Sequence, residues 1–312
     1  MKVYYSLADF QALKQAVVTT GTFDGVHLGH RKILAQLNAA AQQCGGESVL
    51  LTFSPHPRIV LQPDLDLKLI NSQAEKIDRL KLSGLQHLII HPFTKAFSRT
   101  TSLEFVRNIL VNGLGASKLV IGYDHHFGRN REGSFEHLKE FGPIYGFSVE
   151  EIAAQDIDAV TVSSTKIREA IGSGAIAQAN EYLGYRFPLS GKVVPGEKLG
   201  QKIGFPTANI RVEDPYKIIP AHGVYAVEAA LPAEGKQGLQ GMCNIGLRPT
   251  FGGRFKTIEV HLFDFDEDLY GKGLRLDFVE RLRAEKRFSG PEALRNQLQK
   301  DEENARRVLA AD

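Results

Sequence analysis

Two domains of different class are predicted. The first is α/β, a parallel sheet with helices on both faces. The second is a small antiparallel β-barrel with a terminal helix. Three observations carry this reading. Up to about residue 185, apolar runs of strand length alternate with segments of helical period, the rhythm of a parallel sheet. Beyond Arg186, short alternating strands follow one another between glycines and prolines. Near the start, Thr20-Gly-Thr-Phe-Asp-Gly-Val-His-Leu-Gly-His30 reads as strand end, glycine-punctuated turn and helix start.

The β-branched run Val17–Thr20 supplies the strand before that turn, and Ile33, Leu34, Leu37, Ala40, Ala41 and Cys44 recur at helical spacing after it. Ser48–Phe53, His87–His91 and Lys118–Ile121 are continuous apolar runs suited to buried parallel strands. Gln73–Leu82 and Leu103–Leu110 are helical segments between them, and a further helix runs from a cap at Ser163 or Ser164 through Ile171. The domain boundary is placed in Leu183–Phe187, giving domains 1–185 and 186–312. In the second domain, strands are expected at Leu189–Val194, Val224–Leu231, Leu239–Ile245, Thr257–Phe263 and Leu274–Val279. A helix from Pro291 to Leu309 closes the chain, with proline in its first turn and Leu294, Leu298 and Val308 on its apolar side.

Composition narrows the partners. A chain of 312 residues with 43% hydrophobic and 24% charged content is that of a globular protein, long enough for two cores. A net charge of +2 disfavours general binding to nucleic acid or membrane surfaces and leaves small anionic ligands open. Cys44 and Cys243 are too few and too far apart for a disulfide framework or a cysteine metal site. With no signal peptide and no span of membrane length, a cytoplasmic protein is expected. The sequence says nothing of oligomeric state.

The turn at 20–30 carries the most chemistry. Backbone N–H groups at a helix start attract anions, and Gly21, Gly25 and Gly29 allow close approach. His27 and His30 add imidazole donors there, suited to a polyphosphate whose oxygens gain charge as an anhydride breaks. Neither a Walker A motif nor a dinucleotide fingerprint is present, so this phosphate site has another design. Val162-Ser-Ser-Thr-Lys-Ile-Arg168 taken alone is a capped helix with surface charge. Beside the histidine turn it reads as a second helix terminus for the same triphosphate. Ser54-Pro-His-Pro-Arg58 follows a buried strand and places Pro55 and Pro57 in a shaped loop on the ligand edge. In Gly122–Gly133, adjacent Asp124, His125 and His126 cannot converge on one metal.

Two segments stand out in the second domain. Gly204-Phe-Pro-Thr-Ala-Asn209 offers the Thr207 hydroxyl and the Asn209 amide oxygen two residues apart, hard ligands suited to Mg²⁺. Ile258-Glu-Val-His-Leu262 alternates strictly, which sets Glu259 and His261 opposite an apolar face. An ordinary solvent-facing strand carboxylate fits Glu259 equally well at this point.

His-Leu-Gly-His matches the HxGH signature of the nucleotidylyltransferase superfamily. The ordered series TFDGVHLGH, TFSPHPR, FGR-x-x-x-G, SSTKIR, GFPTAN, GVYAV, NIGLRPTFGG and IEVHLFDFDEDLYGK resembles the bacterial bifunctional riboflavin kinase/FAD synthetase family along nearly the whole chain. That resemblance implies an N-terminal FMN adenylyltransferase and a C-terminal ATP:riboflavin 5′-phosphotransferase, with riboflavin, FMN, FAD and ATP as substrates and products. It assigns His27, His30, Ser163, Ser164, Thr165 and Arg168 to the ATP phosphates of adenylyl transfer, with Gly21, Phe23 and Gly29 in the phosphate turn. Pro55, Pro57, Asp124 and Arg129 are the flavin-side candidates. In the kinase, Thr207 and Asn209 would hold Mg²⁺, Glu259 would be the base, and Gly204, Phe205 and Pro206 would shape the loop over the nucleotide. His125-His126 departs from the family's aromatic and basic pair, which alters the flavin contacts expected there. Two rivals remain at this level: a nucleotidylyltransferase for another phosphorylated acceptor with an accessory second domain, and a non-catalytic flavin-binding regulator.

Overall fold

The computed structural model describes residues 1–122, 125–152, 162–196, 199–250 and 253–311, which form two compact units. Unit 1 comprises Met1–Leu67 and Gln73–Ser163. Its elements in chain order are β1 (Lys2–Tyr4), β2 (Ala16–Thr20), α1 (Leu28–Cys44), β3 (Glu47–Ser54), α2 (Pro57–Leu61), α3 (Gln73–Lys81), β4 (His87–Pro92), α4 (Ser102–Glu104), β5 (Ala116–Gly122), α5 (Phe135–Tyr145) and β6 (Ser148–Ile152). The helix begun by α4 widens into a π-helical stretch over Phe105–Val111.

The six strands are parallel in the order β1-β4-β3-β2-β5-β6. Successive side chains on a strand point to opposite faces, and here both faces are buried. Val17, Leu50, Leu88, Ile90 and Val120 meet Leu34 and Leu37 of α1 and Leu80 of α3. Val18, Val49, Leu51, Ile89 and Leu119 meet Phe105, Ile109 and Leu138 on the other side. Buried on both faces, these strands read in sequence as unbroken apolar runs. From β2 the chain builds outward to β3 and β4 on one side, and β5 and β6 lie on the other. The strand order therefore reverses between β2 and β5, and open α/β sheets bind ligands at the carboxyl ends beside such a reversal. The β2–α1 turn is there.

Unit 2 comprises Lys68–Ser72 and Ser164–Asp312. It holds α6 (Ser164–Ser173), α7 (Ile176–Leu183), β7 (Phe187–Val194), α8 (Leu199–Lys202), β8 (Ala208–Arg211), β9 (Gly223–Leu231), β10 (Lys236–Thr250), β11 (Gly253–Leu262), β12 (Gly273–Arg283) and α9 (Pro291–Ala311). The strands close into a barrel in the order β10-β11-β8-β7-β12-β9 with antiparallel neighbours. Ala305 and Leu309 of α9 pack with Phe205, Val224, Ala226, Met242 and Val279. All five expected strands are present, most of them longer than expected. The pattern did not reveal β1, β6, β8, α5 or α7.

By packing, the units part at Ser163/Ser164, whereas the change of sequence texture falls near 185/186. Helix α7 explains why. Asn180 Nδ2 donates to the carbonyls of Phe278 (2.9 Å) and Val279 (3.3 Å), and its Oδ1 accepts from the Phe187 N–H (2.8 Å). The short segment Lys68–Ser72 also pairs within unit 2. Leu69 N–H donates to Tyr216 O (2.6 Å), and Ile218 N–H donates to Leu69 O (2.9 Å). Buried Lys217 completes this pairing by donating to Ile70 O (2.6 Å) and resting 4.3 Å from the centre of the Phe187 ring.

Candidate functional sites in the two units

The β2–α1 turn is held in an unusual backbone form. Gly25 has φ +88, but Phe23 (φ +47) and Val26 (φ +38) also occupy the left-handed region. For a bulky and a β-branched residue this costs of order 1–3 kcal/mol each, so the surroundings must impose it. The Phe23 side chain does so by anchoring in the core of the α1 face. His27 then caps α1, its Nδ1 accepting the His30 N–H at 3.4 Å, which leaves Nε2 to carry the proton. The imidazoles of His27 and His30 stack with 3.7 Å between centres, and Phe23 backs His30 at 4.6 Å. Burial, then the neighbouring His27, then Lys76 hold His30 well below the ordinary histidine range. Its buried Nδ1 makes no hydrogen bond among the described residues. His30 thus stands as a neutral imidazole stacked on His27 at a helix start. Gly29 is buried in the first turn of α1, and Gly21 lies against the Phe23 ring, 3.0 Å from where a Cβ would stand.

Lys76 of α3, not anticipated from sequence, donates to the Thr22 carbonyl (3.3 Å) and the Thr52 hydroxyl (3.4 Å). Burial, partly offset by Asp24, lowers its ammonium to about 8. His125 ties the end of β2 to the segment after β5, its Nε2 lying 2.7 Å from Thr20 Oγ1. Burial first, then His126, pushes His125 down to about 4, so it is neutral at pH 7.

Of the flavin-side candidates, Pro55 is exposed and Pro57 half-buried beside His56, whose Nδ1 accepts the Arg58 N–H (3.1 Å). Arg129 is exposed, with its N–H on Thr100 O (2.7 Å) and its guanidinium 3.9 Å from Glu132. Asp124 lies outside the described residues. An aromatic row adjoins these loops: Phe53–Phe97, Phe97–Phe105 and Phe105–Phe127 are centred 5.5, 6.5 and 5.6 Å apart.

Helix α6 begins at Ser164, with Ser163 immediately before it, and Thr165 in its first turn is exposed. The Arg168 Nε donates to the Lys68 carbonyl at 2.7 Å, so the Lys68–Ser72 segment orients this guanidinium.

The barrel carries a cavity of about 740 Å³, whose walls include Phe205, Thr207, Met242, Asn244, Glu259 and Leu294. A second hollow of about 300 Å³ is lined by Pro206, Thr207, Phe265, Asp266, Asp268 and Tyr270. Thr207 lines both. Ile258, Val260 and Leu262 are buried and Glu259 half-buried, as the alternation requires. In register, Glu259 opposes Asn209 on β8 and Asn244 on β10. A Cβ at Gly196 would stand 2.0 Å from Asn209 Nδ2, so glycine there seats the Asn209 amide. His261 donates from Nδ1 to the Pro206 carbonyl (2.7 Å), fastening the GFPTAN loop to β11, and Phe205 meets the His261 ring edge-on at 5.3 Å. Gly204 has φ +88, which the turn into that loop requires.

Arg283, in the wall of the larger cavity, grips Asp301 of α9 through Nε (2.9 Å) and Nη2 (2.7 Å). Asp301 is 1% exposed and also accepts from Gln297 (2.9 Å). The sequence held a signal for it: Asp301 falls on the same helical stripe as Leu298, Ala305 and Leu309, where a carboxylate needs a partner.

Comparison with known proteins bears on both units. The FAD synthetase family matches residues 9–166, and the riboflavin kinase family matches residues 183–309. A bifunctional riboflavin kinase/FMN adenylyltransferase of Pseudomonas fluorescens is 37% identical over 295 residues, 94% of this chain and 93% of its own. Its Escherichia coli K12 namesake is 36% identical over 290 residues, 93% and 91% of the two chains. A crystal structure described as a macrolide-efflux protein from Streptococcus pneumoniae superposes with a TM-score of 0.88 at 31% identity, covering 98% of each chain. Among the described residues, no helix is long and apolar enough to cross a membrane.

Proposed function

Since the chain belongs to the family of bifunctional riboflavin kinase/FMN adenylyltransferases, we propose how its residues divide the two reactions. The protein is a riboflavin kinase and an FAD synthetase: it makes FMN from riboflavin and ATP, then FAD and pyrophosphate from FMN and ATP. We assign the kinase to the barrel and adenylyl transfer to the histidine turn, with the division in sequence at 185/186.

The observation that carries the kinase assignment is that Thr207 lines both barrel cavities. The larger, with Phe205, Met242 and Leu294 in its walls, suits the flavin ring system, and the smaller suits the nucleotide. Donor and acceptor then meet at Thr207. There Glu259 takes the proton of the riboflavin 5′-hydroxyl as its oxygen bonds to the γ-phosphorus and the bond to ADP breaks. The Thr207 hydroxyl and the seated Asn209 amide are oxygen donors of the kind Mg²⁺ takes alongside water and phosphate, beside the opposed Glu259 base. When bound, Mg²⁺ supplies charge neutralisation for the transferring phosphoryl group.

In adenylyl transfer the FMN phosphate attacks the ATP α-phosphorus and pyrophosphate leaves. The nucleophile is already an anion, so no general base is needed. His27 and His30 present fixed N–H dipoles and the start of α1 to the developing charge. Ser163, Ser164, Thr165 and Arg168 are assigned to ATP phosphates on their sequence pattern, and Pro55, Pro57, Asp124 and Arg129 to the flavin. A cytoplasmic location suits both reactions.

The test is direct. The purified protein with riboflavin, ATP and Mg²⁺ should yield FMN and then FAD on chromatographic separation, and Thr207→Val should stop FMN formation while FAD still forms from supplied FMN. A Thr207→Val protein that phosphorylates riboflavin normally would overturn the assignment.

A further inference from the structure

Half-buried Lys76 stands out among the titratable groups that the mechanism above leaves unused. Its ammonium is anchored by two neutral oxygens, the Thr22 carbonyl and the Thr52 hydroxyl, and the Thr52 hydroxyl itself donates to Thr22 O at 3.2 Å. Thr22 directly precedes Phe23, the first of the residues in the left-handed region. The bond therefore clamps the carbonyl at the point where the strained turn begins. It also places a cation beside the neutral His30 imidazole. A half-buried ammonium whose hydrogen bonds go to neutral oxygens, with Asp24 offsetting only part of its desolvation, is costly unless something else uses its charge, and the site beside it suits a polyanion.

We propose that Lys76 is a positioning residue of adenylyl transfer, clamping the Thr22–Val26 turn in its phosphate-binding form and supplying the positive charge that draws the ATP triphosphate there. This deepens the assignment of His27 and His30 and rests on it. The groups facing Lys76 are few. From the turn, Asp24 attracts it; from α1, His30 feels its charge; β3 presents the Thr52 hydroxyl; and on α3 itself Glu75, Asp78 and Arg79 are its neighbours in sequence. With His30 held below its ordinary range, Lys76, bonded to this turn from α3, is a group that changes charge in mildly alkaline solution.

The experiment measures kcat and KM for ATP in FMN adenylylation, with saturating FMN and Mg²⁺, from pH 6.5 to 9.5. Wild type is compared with Lys76→Gln, Lys76→Arg and His30→Ala. In the wild type, kcat/KM for ATP should fall above about pH 8 as the ammonium loses its proton. Lys76→Gln keeps a hydrogen-bond donor but no charge. It should lower kcat/KM about 10- to 100-fold at pH 7, chiefly through KM, as when one hydrogen bond to a charged group is lost. Its pH profile should be flat, and Lys76→Arg should recover most of the loss. Riboflavin phosphorylation by the same preparations should be unchanged. A wild-type profile without the alkaline fall overturns the proposal without any variant. So does a Lys76→Gln protein with wild-type kcat/KM, or one that is impaired yet keeps the alkaline fall, which would reduce Lys76 to a structural contact. If His30→Ala is also unimpaired, the fault lies with the assignment of the histidine turn; if only His30→Ala is impaired, it lies with Lys76.

Discussion

The two sites handle the same co-substrate by opposite constructions. In unit 1 the two histidines assigned to the phosphates lie on one continuous turn, and the sheet contributes mainly by ending where strand order reverses. In unit 2 the groups are spread over β8, β10 and β11 and meet only through strand register, Glu259 opposite Asn209 and Asn244. The chemical demand differs in the same sense. Adenylyl transfer starts from an anionic nucleophile and needs charge stabilisation, the task we propose for the backbone N–H groups and imidazoles at the start of α1. Phosphorylation of a hydroxyl needs a proton acceptor at one fixed place, the role we propose for Glu259 on its barrel strand. A strained turn can be tuned by a residue that clamps it, whereas a register site is as rigid as its sheet.

The largest effect should come from removing the proton acceptor. Glu259→Gln preserves shape and hydrogen bonding, and riboflavin kinase turnover should fall roughly 10²–10⁴-fold, the range for a general base. FAD formation from added FMN should be spared. Near-normal phosphorylation by this variant would erase the contrast, because Glu259 would then be an ordinary strand carboxylate.

His30→Ala should act on the other reaction with a somewhat smaller loss. Adenylyl transfer should drop about 10²–10³-fold, as when one preorganised donor is lost, while FMN formation from riboflavin persists. Wild-type FAD synthesis from FMN would show that the helix start does not stabilise the transition state.

The same contrast governs how much could be read from sequence. A contiguous turn announces itself through glycine and histidine spacing, so His27 and His30 were legible before any fold. Glu259 was legible only as one face of an alternating strand. Its partners were not, because β8 shows one buried apolar residue, Ile210, and exists through its pairing with β7 and β11. Lys76 was hidden because a lysine on an amphipathic helix ordinarily faces water, and its burial depends on where α3 lands. β6 was missed since Ser-Val-Glu-Glu-Ile is an edge strand whose carboxylates mask its period. The packing boundary was hidden for a related reason. Texture changes where the barrel strands begin, but α6 and α7 have ordinary helical patterns, and nothing in them states which core they join.

That last point gives the finest test, the smallest in its effect on activity. Thr207, Asn209 and Glu259 all follow residue 186, so fragments 164–312 and 187–312 should both convert riboflavin to FMN and make no FAD. They should differ in stability. The shorter one leaves the Phe187 N–H and the Phe278 carbonyl without their Asn180 partner and uncovers the surface against which buried Ile176, Ala179 and Leu183 pack. Each lost hydrogen bond is worth about 0.5–1.5 kcal/mol and each buried aliphatic side chain about 1.5–3 kcal/mol. At about 2–4 °C per kcal/mol for a domain near 150 residues, Tm should be lower by roughly 10 °C or more in the shorter fragment. Circular dichroism melts alongside the FMN assay decide it. Equal melting temperatures would detach α6 and α7 from the barrel core and return the packing boundary to 185/186. A folded 164–312 fragment that makes no FMN would show that the register site needs residues of unit 1, and the two constructions would not be separable.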